Sequence, residues 1–177
     1  AVINQNLRFV KFLLDKSTTS PWALSFGLRS FIHFIGDSHQ PLHSATLFSN
    51  EFKTGDVGGN IYYFNSQYGA NAGQLHKIWD NAGLQYQFIK PLETFETNVS
   101  NLIKTHPKSK YQNLIDDENA YHWVLESFEE AKRVAYTAKN NEKLEASYLQ
   151  AVRETSNDRI VLSGYRLGRF LNKFFET

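Results

Sequence analysis

Residues 20–43 read SPWALSFGLRSFIHFIGDSHQPLH, and the fold is decided here. Ser20 offers a side-chain oxygen to cap a helix, and Pro21 suits the first helical position, where its missing N–H costs nothing. The helix is expected to run through Trp22, Phe26, Arg29 and His33 to about Ser38. Pro41 disturbs it, because the residue before a proline is pushed out of helical geometry. Inside the helix, His33 and Asp37 stand four positions apart. That spacing puts them on one face, with Cβ atoms roughly 5–6 Å apart.

Residues 75–80, LHKIWD, repeat the arrangement with His76 and Asp80. A His nitrogen and an Asp oxygen so spaced can meet one zinc ion at about 2.0–2.2 Å. A single such pair is more often a helix-surface hydrogen bond. Two pairs, with His43 beyond the Pro41 kink, shift the balance toward a metal centre. The surroundings agree: Phe31, Ile32, Phe34 and Ile35 flank one pair, and Leu75, Ile78 and Trp79 the other. Unpaired charge is costly among such residues, and coordination is one way to satisfy it. Pro41 also redirects the chain, which lets His43 serve a different metal from His33. The other histidines read differently. His39 is expected to make structural hydrogen bonds, His106 before Pro107 to be solvated, and His122 beside Trp123 to pack.

A chain of 177 residues suits one domain, 1–177, with a real core. No apolar run approaches the length of a membrane span. There is no Cys, so disulfides and thiolate metal sites are excluded, and any zinc must rest on His, Asp, Glu or backbone groups. A net charge of +1 without a Lys/Arg block argues against a duplex binder that works by neutralising many phosphates. It leaves room for an enzyme that grips one phosphate with metal ions. Aromatics at 15% belong mostly to the core, with one or two free to stack on a base. The chain carries no Met, and Ala1 opens directly on helix-like sequence with no capping residue ahead of it. A truncated or cleaved start is therefore expected.

The remaining elements read as helical. Ile3, Leu7, Val10, Leu13 and Leu14 predict a helix over 3–15. Residues 44–72 are irregular and Gly-rich, with Ile61 to Phe64 as half of a short β-hairpin. A helix is predicted over 73–88, and another from Pro91 to just before His106. Asp116, Asp117 and Glu118 sit where acids favour a helix start, and that helix runs past Arg133. Two more, 142–153 and 157–175, close the chain. The fold class is all-α with one short hairpin.

HFIGDSHQPLH at 33–43, GGN at 58–60, LHKIWD at 75–80, WVLES at 123–127 and SGYRLGRFLNKFF at 163–175 occur in this order. On these motifs the chain resembles the zinc-dependent single-strand-specific nuclease and 3′-nucleotidase family of fungi and plants. The resemblance implies an all-α fold, shared with zinc phospholipase C, and three zinc ions in the complete enzyme. It implies that His33 and Asp37 bind the first zinc, Asp37 bridging to another, and that His43, His76 and Asp80 bind the remaining one. The family's other ligands, with its catalytic Asp and phosphate-contacting Lys, come from an N-terminal part not found here. One of those ligands is a terminal Trp, through its amine and carbonyl, and Trp22 is internal and cannot supply that amine. An N-terminal fragment of the same protein is thus an expected partner.

By the same resemblance, the substrate is single-stranded nucleic acid or nucleotides, the products carry 5′-phosphates, and the protein is secreted or vacuolar. Gly69 and Asn71 are the nearest candidates for holding a nucleobase, against a simple turn role. Asn98-Val-Ser100 fits a glycosylation acceptor. Asn60 ties the double-glycine loop to the site or merely caps a turn, and Arg166 pairs with Glu126 across helices. Two rival readings remain: a zinc phospholipase C-like hydrolase, and a non-catalytic helical scaffold.

Overall fold

A computed structural model of the chain describes residues 7–8, 20–65, 73–86 and 92–176. Helix α1 spans Pro21–His39, and the Ser20 hydroxyl accepts from the Ala23 N–H at 3.3 Å. It buries Gly27, Phe31, Ile35, Ser38 and His39, a stripe at helical spacing. Gln40 is extended, as the following proline requires, and Pro41–His43 form one 3-10 turn. Helix α2 is short, Leu75–Asp80. Helix α3 spans Leu92–Thr105, ending before His106-Pro107 as expected. A 3-10 turn, Lys108–Tyr111, leads into α4, Gln112–Ile115. Helix α5, Ala120–Arg133, is capped by Asn119, whose side chain accepts from the Tyr121 N–H. A turn at Ala135–Thr137 follows, and α6, Ala146–Phe175, closes the chain.

Three apolar clusters hold these elements, and α6 enters each. Tyr148, Leu149 and Val152 of α6 pack with Leu42, Leu75, Ile78 and Trp79. Leu167 and Phe170 pack with Phe31 and Ile35 of α1 and Trp123 of α5. Val161 and Leu162 pack with Tyr111 and Ile115. No helix among the described residues is long and apolar enough to cross a membrane.

A buried ionic hub locks α1, α5 and α6 together. Glu126 accepts from Arg166 at 2.7 and 2.8 Å and from Arg159 at 2.7 Å, so the expected Arg166 pair exists and has a third member. Arg159 also donates to the carbonyls of His39 and Trp123 and to Ser127 Oγ. Arg166 donates to the Leu114 carbonyl and to His39 Nε2 at 2.8 Å. A guanidinium only donates, so the His39 proton sits on Nδ1 and goes to the Ile35 carbonyl, 2.7 Å away. Burial, reinforced by Arg159 and Arg166, drives His39 well below its ordinary 6.5. Its structural role is as expected. The hub fixes the C-terminal end of α1, and thereby the direction in which the Pro41 turn leaves it.

Three expectations are corrected. The hairpin at Ile61–Phe64 is absent among the described residues, which show two isolated bridges, Tyr63 with Gln74 and Asn65 with Lys143. The Tyr63 N–H goes to the Asn140 side chain and the Asn65 N–H to the Glu142 carbonyl, so segment 140–143 takes the donors a second strand would need. The helix predicted over 73–88 stops at Asp80, because Ala82, Gly83 and Leu84 all take positive φ. The helices predicted over 142–153 and 157–175 are one 30-residue helix. Its polar run is satisfied from outside: Tyr86 donates to Asn157, and Lys110 and Tyr111 donate to Asp158, so nothing forces a break. Apart from Leu7 and Arg8, the helix predicted over 3–15 lies outside the described residues.

Candidate metal centre

The end of α1, the Pro41 turn and α2 bring His33, Asp37, His43, His76 and Asp80 into one row. His33 Nε2 lies 3.2 Å from Asp37 Oδ2, and His43 Nδ1 lies 3.8 Å from the same oxygen. On its other side, His43 Nε2 is 3.6 Å from Asp80 Oδ1. His76 Nε2 is 3.5 Å from Asp80 Oδ2, and the His43 and His76 ring centroids are 4.9 Å apart. The Asp37 and Asp80 carboxylates thus flank His43.

The separations test whether a cation fits. At 3.5–3.8 Å the contacts around His43 and His76 are too long for hydrogen bonds. Donors about 2.0–2.1 Å from a tetrahedral zinc stand ~3.3 Å from each other. One ligand atom each from His43, His76 and Asp80 lies within 4.8 Å of the others, so a small contraction onto an ion completes a three-ligand site. Imidazole and carboxylate, without thiolate, suit zinc. The set therefore fits.

Electrostatics point the same way. The Asp80 carboxylate, with Asp37 adding to it, lifts His43 above its ordinary 6.5 against the effect of burial. Burial would raise Asp80, but His43 and the Gln40 amide hold it below its ordinary 3.8. Concentrated negative charge facing imidazoles is what a divalent cation neutralises.

A second layer of contacts orients the donors. The His76 Nδ1–H donates to the Gly58 carbonyl at 2.7 Å, which leaves Nε2 as the free lone pair. The His76 backbone N–H donates to the Gly59 carbonyl at 3.2 Å. Gly58 has φ +62°, and a Cβ there would stand 2.6 Å from the Leu42 carbonyl oxygen. Only glycine fits so close to the Pro41 turn. Gln40 receives the Leu42 N–H on its side-chain oxygen and donates its amide to Asp80 Oδ1 at 2.8 Å. A cavity of about 300 Å³ opens beside Asp37, His43 and Asp80, walled by Tyr86, Ser156 and Ile160.

The remaining candidates fall elsewhere. Gly69 and Asn71 lie outside the described residues. Asn98 sits within α3, partly exposed. Asn60 donates to the Val57 carbonyl at 2.9 Å and so caps its turn, while its own carbonyl accepts from Gln74. His106 is not solvated: 17% exposed, it contacts Thr105, the Leu102 carbonyl and Asp158. His122 does not pack but is half exposed, 2.6 Å from Asp117. Sequence reasoning gave no role to Gln40 or the Gly58 carbonyl. Their signal was present, since both lie inside the HQPLH and GGN motifs.

The chain matches a family model described as S1/P1 Nuclease over residues 1–176. It is 27% identical over 185 residues to Endonuclease 5 of Arabidopsis thaliana, covering 99% of this chain and 60% of that protein. It is 29% identical over 153 residues to Endonuclease 1 of the same plant, covering 81% of this chain and 47% of that one. The chain thus spans 60% and 47% of the lengths of these two relatives.

Proposed function

The chain belongs to the S1/P1 nuclease family, matched over residues 1–176, and from that premise we propose that it serves a zinc-dependent phosphodiesterase of single-stranded DNA or RNA. The observation that carries this reading is the convergence of ligand atoms of His43, His76 and Asp80 within 4.8 Å of one another, with His33 and Asp37 alongside. His43, His76 and Asp80 would hold one zinc. His33 and Asp37 would contribute to two more. The endonuclease names of the relatives favour nucleic acid over phospholipid as substrate, and retention of a fitted donor set favours an enzyme over a scaffold.

When bound, zinc ions act as Lewis acids that acidify water near neutral pH and neutralise charge on a phosphodiester. The residues of this chain supply the frame. Gly58 fixes His76 in the tautomer whose Nε2 can bind a metal. Gln40 holds one Asp80 oxygen and, by its hold on Leu42, the Pro41 turn that carries His43. The Glu126 hub holds the end of α1 through the His39 carbonyl and ring. The cavity beside Asp37 and Asp80 gives an unpaired nucleotide room next to the phosphate site. A duplex hides the base faces that such a pocket needs, so single strands are the substrate. Hydrolysis leaves a 5′-phosphate, and 3′-mononucleotides are a second substrate class. The protein is secreted or vacuolar, with Asn98 glycosylated.

The test uses matched single-stranded and duplex oligonucleotides, before and after chelation and with zinc restored. Cleavage of the single strand alone, lost on chelation and recovered with zinc, supports the reading. Equal cleavage of duplex, or indifference to chelation, overturns it. A mass decrease on glycosidase treatment, absent in Asn98→Gln, checks the glycosylation site.

A further inference from the structure

We propose that Asp56 is a positioning residue for the metal centre, acting on His76 through the loop 55–60. The geometry is independent of any metal; only its consequence for zinc rests on the function proposed above. Asp56 is fully buried, yet no cation pairs with it among the described residues. Its Oδ1 accepts from the Leu47 N–H at 2.9 Å and from the Tyr136 hydroxyl at 3.2 Å. Its Oδ2 is buried and finds no hydrogen-bond partner among the described residues. A carboxylate kept in so poorly solvated a place is costly and calls for a reason.

That reason lies in the backbone it pins. The Asp56 N–H donates to the Leu47 carbonyl at 3.0 Å, and the Asp56 carbonyl accepts from the Ile61 N–H at 3.2 Å. Between these anchors, Val57, Gly58 and Gly59 take φ of +56°, +62° and +83°. Left-handed geometry is adverse for a β-branched residue such as Val57, so the turn does not hold itself. Three successive left-handed residues bring the Gly58 and Gly59 carbonyls to face His76 Nδ1 and its backbone N–H. The path is therefore continuous: Tyr136 and Leu47 hold Asp56, Asp56 holds the strained turn, and the turn fixes the His76 ring. Burial and the Asp56 charge both raise the Tyr136 phenol, which keeps it a donor.

A merely structural Asp56 would affect His76 only as far as it destabilises the whole chain. The tests therefore compare Asp56→Ala, Asp56→Asn and Tyr136→Phe with Ile115→Ala, a core truncation in a separate cluster. The first readout is the His76 tautomer in metal-free protein, by two-bond nitrogen–proton correlation spectra. The wild type is expected to show the Nδ1–H form alone. Asp56→Ala should mix the tautomers, Tyr136→Phe should do so less, and Asp56→Asn, which keeps an acceptor at Oδ1, should restore most of the lock. Ile115→Ala should keep it. An unchanged tautomer in Asp56→Ala and Tyr136→Phe, or equal loss in Ile115→Ala, overturns the proposal. The second readout is zinc affinity, expected to fall about 10–100-fold in Asp56→Ala and little in Ile115→Ala. A wild type that binds no zinc would sink the function proposed above, while the tautomer comparison still decides the role of Asp56.

Discussion

The Gln40 side-chain amide donates to Asp80 Oδ1 at 2.8 Å across a sequence separation of 40 residues. Its side-chain oxygen holds the Leu42 N–H at the same time, so one residue couples the Pro41 turn to α2. Gln40→Ala frees the Asp80 carboxylate and loosens the turn. Zinc affinity is expected to fall about 10–100-fold with helix content unchanged. Competition titration against a zinc indicator, paired with far-UV circular dichroism, checks both halves. Unaltered affinity would show that Asp80 needs no such hold.

His43→Ala and Asp80→Ala each remove a donor from the three-ligand set, and both are expected to abolish zinc retention there and hydrolysis with it. His33→Ala leaves His43, His76 and Asp80 intact, so one tightly held zinc should survive. Elemental analysis after dialysis counts the ions, and single-strand cleavage reports activity. Wild-type rates in His43→Ala would refute the ligand assignment.

Gly58 and Gly168 should respond to alanine in opposite directions. At Gly58 the left-handed φ costs ~1–2 kcal/mol for a Cβ, and the Leu42 carbonyl oxygen 2.6 Å away adds a clash. At Gly168, within α6, a Cβ meets nothing within 4 Å, and alanine should stabilise by ~0.4–1 kcal/mol. A chain of this size moves roughly 2–4 °C in Tm per kcal/mol. Thermal melts therefore separate a fall of several degrees from a small rise.

Acid should unfold this protein in two stages. His39 lies well below 6.5 when folded, so the unfolded chain takes up its proton first, and stability falls as pH drops below 6.5. Burial would raise Glu126, but Arg166 and Arg159 hold it below its ordinary 4.5. Its contribution is full above 4.5 and is lost as pH falls through the lower folded value. Glu126→Gln should flatten the second stage. Glu126→Ala should cost ~3–5 kcal/mol at neutral pH by leaving two buried guanidinium groups unmatched. Tm measured from pH 8 to 3 in wild type and both variants reads each stage.

Much of the candidate site was legible because its side chains sit in local patterns. His33 with Asp37 and His76 with Asp80 are helical neighbours, and spacing alone put each pair on one face. The coupling between pairs was less visible. Contact of His43 with both carboxylates depends on where the Pro41 turn aims the chain, and the Glu126 hub and Gln40 set that aim from residues far apart in sequence. Asp56 was invisible for a related reason, since its partners Leu47 and Tyr136 mark no motif. Helix limits failed where side chains from elsewhere satisfied polar groups, as Tyr86 and Tyr111 do for Asn157 and Asp158. The β-prone run Ile61–Phe64 carried strand propensity, but segment 140–143 reached its hydrogen-bonding edge first.

Helix α6 has a mechanical consequence. Its 30 residues extend ~45 Å at 1.5 Å each and thread all three apolar clusters as a single rod. No cluster can melt alone without exposing a length of that rod, so the clusters share their opening free energy. Amide protons of Thr155 through Leu162, between the outer clusters, should be the slowest in the molecule to exchange with deuterium, while those near Phe175 fray first.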